Sequence, residues 1–104
     1  MRLSPKEVKA ILISFRSILS NISFELYLFG SRTDDNKKGG DIDLLLVVEN
    51  LSEKEKLIDL KSKIKSEIFK YIPEQKIDIT IAYKKELSTD DFLLSISNSL
   101  KKLT

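Results

Sequence analysis

Residues 24–48 read FELYLFGSRTDDNKKGGDIDLLLVV, and this stretch decides the fold. It opens with an aromatic and apolar run, Phe24–Phe29, set off by Asn21 before it and Gly30 after it, which reads as a buried strand. Residues 30–40 form the least hydrophobic part of the chain and read as a loop, with room for one helical turn starting at Ser31. A second strand, Asp41–Val48, follows, and its unbroken apolar run after Asp43 predicts burial on both faces.

Upstream, Ser4, Pro5, Lys6 and Glu7 spell a capping box with proline at the tolerant first helical position. Val8, Ile11, Leu12, Phe15, Ile18 and Leu19 follow at helical spacing, predicting an amphipathic helix over about residues 5–20. Downstream, a second capping box from Ser52 to Glu55 predicts a helix to about Lys70, with Leu57, Leu60, Ile64 and Ile68 on one face. Residues 76–83 then alternate, Ile77, Ile79, Ile81 and Tyr83 on one side and Asp78, Thr80 and Ala82 on the other. Ser88, Thr89, Asp90 and Asp91 cap a last helix that includes Phe92, Leu93, Ile96 and Leu100. The expected fold is therefore α/β (α+β): one domain, residues 1–104, with a small mixed sheet of about three strands flanked by helices. The helix between the second and third strands favours parallel pairing of those two.

Composition narrows the chemistry. The chain contains neither His nor Cys, which removes zinc fingers, thiol nucleophiles, Ser-His pairs and disulfide scaffolds together. Catalysis, if present, rests on carboxylates, hydroxyls, Lys, Arg or Tyr. Eighteen Lys and Arg against 16 Asp and Glu leave a net charge of +2, too small for a dedicated nucleic-acid surface, so direct nucleic-acid binding is not expected. No apolar run approaches the roughly 18 residues of a membrane span and the start lacks a signal-peptide core, so a cytoplasmic protein without membrane contact is expected.

Asp41 and Asp43 stand two apart on a strand and so point to one face, with Ile42 on the other. Ionised carboxylates side by side repel, and a metal cation is the usual compensation. If the first strand runs antiparallel to the second and the third runs parallel to it, Gly30, Ser31 and Asp78 arrive at the same sheet edge. Mg²⁺ takes a few carboxylates together with phosphate oxygens and water, and Gly30 leaves room for backbone amides to approach a phosphate that Ser31 also contacts. That set suits phosphoryl or nucleotidyl transfer, two ions about 4 Å apart clamping the attacking and leaving oxygens. Asp78 would be the third ligand and would help to deprotonate the attacking hydroxyl. Each piece has a plainer use: Asp-x-Asp after Gly39 and Gly40 as a solvated turn, Asp78 as a polar residue on an exposed strand face. The conjunction weighs against them, because purposeless acids leading into an apolar strand are costly.

Residues 29–48, FGSRTDDNKKGGDIDLLLVV, resemble the signature of the DNA polymerase beta-like nucleotidyltransferase superfamily: Gly-Ser, a spacer, then Asp-hydrophobic-Asp. Gly30 and Ser31, nine intervening residues, and Asp41, Ile42, Asp43 match it, and Asp78 in KIDITIAY stands where the third carboxylate falls. The element order looks like that of the minimal nucleotidyltransferases, a class often paired with a HEPN-domain protein in prokaryotic toxin-antitoxin modules. The resemblance implies two Mg²⁺ ions, with Mn²⁺ as an alternative, held by Asp41, Asp43 and Asp78. It implies that Gly30, Ser31 and Arg32 receive the phosphates of ATP or another nucleoside triphosphate. The implied reaction moves AMP from ATP to a hydroxyl of a HEPN toxin, silencing it. Relatives with other acceptors generally carry a further domain, so the acceptor side is expected from a partner. Many relatives continue Gly-Ser-x-Ala-Arg-Gly, whereas Asp34 stands here in place of the later Arg. That departure implies weaker triphosphate binding and keeps open a module that neutralises its partner by docking alone.

Overall fold

The computed structural model describes residues 3–30, 41–73 and 75–104. Its first element is set by the expected capping box: the Glu7 N–H donates to Ser4 Oγ at 3.1 Å, and the Ser4 N–H donates to Glu7 Oε1 at 3.0 Å. Helix α1 (Pro5–Ile18) starts there and buries Ala10, Ile11, Ser14 and Phe15; the Ser14 hydroxyl, deep in the interface, donates to the Ala10 carbonyl at 2.9 Å.

Strands β1 (Phe24–Phe29) and β2 (Asp41–Val48) pair antiparallel, and β2 pairs parallel with β3 (Lys76–Tyr83), as the connections require. The sheet has four strands among the described residues, not about three, in the order β3-β2-β1-β4. The addition, β4 (Lys101–Lys102), is two residues long and pairs with Leu28 and Tyr27 of β1, after which the Leu103 N–H donates to the Leu26 carbonyl at 2.8 Å. Two lysines carry no strand periodicity, so this element is written in backbone pairing and not in side-chain pattern.

Between β2 and β3 the single helix expected from Ser52 to Lys70 is two, α2 (Leu51–Ile58) and α3 (Lys61–Phe69). The Leu60 N–H turns back to the Leu57 carbonyl, three residues away, at 3.0 Å. The apolar positions keep helical spacing across this break, which hides it from a periodicity reading. The cap is Asn50, whose Oδ1 accepts from the Glu53 N–H at 3.0 Å, and not Ser52. After β3 come a 3₁₀ turn (Lys84–Ser88), a short α4 (Asp91–Ile96) capped by Asp90, and a second 3₁₀ turn (Ser97–Ser99); the last helix is thus shorter than its apolar spacing suggests.

The two sheet faces have different covers. Ile42, Leu44, Leu46 and Val48 lie in the larger core with Phe15 of α1 and with Ile64 and Ile68 of α3, all with 2% exposure or less. On the other face Phe29, Leu45, Val47 and Ala82 pack against Leu93 of α4, with Leu87, Ile96 and Leu100 at the margin. The turn that leads into α4 is braced from α2: Lys54 Nζ donates to both Glu86 carboxylate oxygens at 2.7 and 2.9 Å, and the Tyr83 N–H donates to Glu86 Oε1 at 3.1 Å. Both charged side chains are only 21% exposed. Glu86→Ala, which strips three bonds from partly buried donors, should lower stability by about 1–3 kcal/mol. Glu67→Ala, which removes the partner of the exposed Lys70, should cost clearly less than Glu86→Ala. Urea unfolding of the two variants checks the contrast.

Candidate active site

The register of β2 brings the sequence-derived acids together. Asp43 is aligned with Phe29 of β1 on one side and with Asp78 of β3 on the other, and Asp41 is aligned with Lys76. Aligned residues in paired strands share a face, and so do residues two apart. Asp41, Asp43, Asp78 and Lys76 therefore stand on one face, at the end of the sheet where β2 and β3 begin. The three acids are neither sunk in the core nor fully exposed. Ser31 and Arg32, like Asp34 and the helical turn expected at Ser31, lie outside the described residues.

Gly30 closes β1 with φ +78°, a conformation that side chains with a Cβ rarely adopt. A Cβ built there would come 2.5 Å from Asp43 Oδ2. Glycine is thus required twice, by its backbone angle and by the carboxylate against it. Of the expected meeting of Gly30 with Asp41 and Asp43 at one edge, the approach to Asp43 is present, and it is direct.

The electrostatics of the row are unfavourable as it stands. Burial pushes the Asp43 carboxyl above its ordinary value, the charges of Asp78 and Asp41 push it further in that direction, and Lys76 opposes them. Lys76 escaped the sequence reading of the site, although the spacing Lys76-Ile77-Asp78 was enough to place it on the same face as the acid. Among the described residues, no group of three or more acidic side chains is gathered closely enough to hold a metal ion unaided. Beyond the acids the same face turns apolar through Leu45, Val47 and Ala82, and the Phe29 ring meets Phe92 of α4 at 6.0 Å between centroids and 74° between planes.

Gly30 thus lies against Asp43, which is aligned with Asp78, at the end of the mixed sheet where β2 and β3 begin. The sequence model of the nucleotidyltransferase domain matches residues 8–102, from within α1 to the end of β4, and the chain belongs to that family. The family assigns it a transferase activity, the movement of a nucleotidyl group from a nucleoside triphosphate. A search of curated proteins finds no match. Among the described residues no helix is long and apolar enough to cross a membrane.

Two stability measurements probe this geometry. Because the folded state raises the Asp43 value, the protonated form favours the fold: its contribution is complete below the ordinary value of 3.8 and is lost as pH rises through the elevated one. Asp43→Asn should therefore raise the melting temperature at neutral pH in the presence of a chelator, and the gain should vanish in acid. Gly30→Ala should cost about 1–2 kcal/mol from its backbone angle alone. Pairing it with Asp43→Ala should recover the part due to the collision, seen as non-additivity in a double-mutant cycle.

Proposed function

We propose that this domain, residues 1–104, transfers a nucleoside monophosphate, AMP from ATP, to a hydroxyl of a partner protein. The observation that carries the proposal is the alignment of Asp43 with Asp78 across β2 and β3, with Asp41 two residues away on the same face, inside a nucleotidyltransferase domain. An all-oxygen donor set suits Mg²⁺ or Mn²⁺, and such ions take only one or two carboxylates each, leaving positions for phosphate oxygens and water. The burial and like charge that raise Asp43 are what a divalent cation would relieve. The row thus fits two ions that arrive with a nucleotide, held by Asp41, Asp43 and Asp78.

When bound, the ions supply neutralisation of the triphosphate and of charge developing on the attacking and leaving oxygens. Gly30, with Ser31 and Arg32 carried over from the sequence signature, receives the phosphates; having no side chain, Gly30 lets them approach the Asp43 carboxylate. Asp78 accepts the proton of the acceptor hydroxyl as its oxygen bonds to the α-phosphorus. The bond from that phosphorus to the bridging oxygen breaks, and pyrophosphate leaves. A HEPN-domain toxin, silenced by the modification, is the acceptor that the resemblance implies, and the reaction belongs in the cytoplasm, where ATP is made available.

A second reading is a catalytically silent module that neutralises its partner by docking. One observation favours it: Asp34 stands where many relatives carry Arg, and an acid there weakens triphosphate binding. Incubation with Mg²⁺, the product of the adjacent gene and ATP labelled at the α- or the γ-phosphate separates the two. Transfer should occur only from the α-label and should fall to background in Asp41→Asn/Asp43→Asn. Absence of transfer, with the double variant still neutralising the partner, would establish docking instead.

A further inference from the structure

The sheet face that carries the acids changes character along its length. Where β2 and β3 begin it presents carboxylates; at Leu45, Val47 and Ala82 it is apolar and packs against α4, whose Leu93 is 5% exposed. Phe29 stands on the boundary, since it is aligned with Asp43 and also belongs to the apolar cluster. Phe92 meets Phe29 edge to face and yet remains 50% exposed. Leu93 takes the buried position of this turn, so Phe92 adds little to the roof and leaves aromatic surface open next to Phe29, the residue aligned with Asp43. Phe69 and Tyr71 are also exposed, but they belong to or follow α3, which packs on the opposite face.

A nucleoside triphosphate has the same polarity as this face, anionic at one end and a flat aromatic heterocycle at the other. Resting on the nucleotidyl-transfer reading above, we propose that Phe92, backed by Phe29, is the platform on which the nucleobase of the donor stacks. An edge-to-face partner holds the ring in place before the ligand arrives, which spares ordering on binding. Phenylalanine offers a π-face and no hydrogen bond, so the platform takes any base and does not distinguish adenine from guanine. The platform therefore grips the donor without choosing it, and the preference for ATP proposed above is not made here.

Calorimetric titration of Mg²⁺-ATP, Mg²⁺-GTP and Mg²⁺-tripolyphosphate into the wild type, Phe92→Leu and Phe92→Trp tests the platform. Phe92→Leu keeps an apolar group against Phe29, and a thermal melt of each variant verifies the fold. The wild type should bind ATP and GTP with similar affinity; Phe92→Leu should weaken both by about tenfold or more, leave tripolyphosphate unchanged, and be reversed by Phe92→Trp. Unchanged ATP affinity in Phe92→Leu, or an equal loss for tripolyphosphate, overturns the platform while leaving nucleotidyl transfer standing. A wild type that binds neither nucleotide nor tripolyphosphate overturns both.

Discussion

The register of β2 is the constraint on which the rest of the structure depends. Side chains alternate along a strand, so a slip of one residue would turn Asp41 and Asp43 into the core occupied by Phe15, Ile64 and Ile68. It would also bring Ile42 and Leu44 to the open end of the other face. Burying two unpaired carboxylates is far more costly than any local gain from repacking. The acids that make the site electrostatically tense are therefore also what forbids the wrong pairing. Both neighbours of β2 inherit that register, and the row of Phe29, Asp43 and Asp78 follows from it.

Much of this arrangement is legible in the chain. The bounds of β1, β2 and β3, the capping box of α1 and the shared face of Asp41, Asp43 and Asp78 all follow from alternation, helical spacing and capping chemistry. What escaped is what those signals do not encode. The break between α2 and α3 preserves helical spacing; the cap on α2 comes from Asn50, two residues ahead of a sequence that satisfies the capping-box pattern; β4 is made of two lysines. The neighbourhood of Lys76 was readable from spacing, but its influence on Asp43 needs the pairing of β2 with β3. Ser31 and Arg32, which the signature assigns to phosphate binding, are known from the sequence alone.

The covers of the sheet divide the labour. One face is closed by α1 and α3 over a continuous aliphatic core and supplies most of the burial. The other is closed only in part, by a segment tied to α2 through Lys54 and Glu86, so that the acids stay accessible while Leu45 and Val47 do not. Asp43 is held in an environment that disfavours its charge, and an apo protein bears that as lost stability. A cation-bearing substrate would convert the same repulsion into affinity, which links the cost of the acid row to its capacity to bind.

The two-residue β4 also closes one edge of the sheet. Without it, the β1 amides and carbonyls that face away from β2 would lie unpaired, flanked by Leu26, Leu28 and Phe29, a ready template for a further strand. With it, part of that row is spent on Lys101 and Lys102, and the outermost strand on this side is too short and too charged to propagate pairing. Lys102 also reaches Glu25 at 3.1 Å, tying the strand down across the edge. Resistance to sheet-edge aggregation on this side thus resides in the last few described residues.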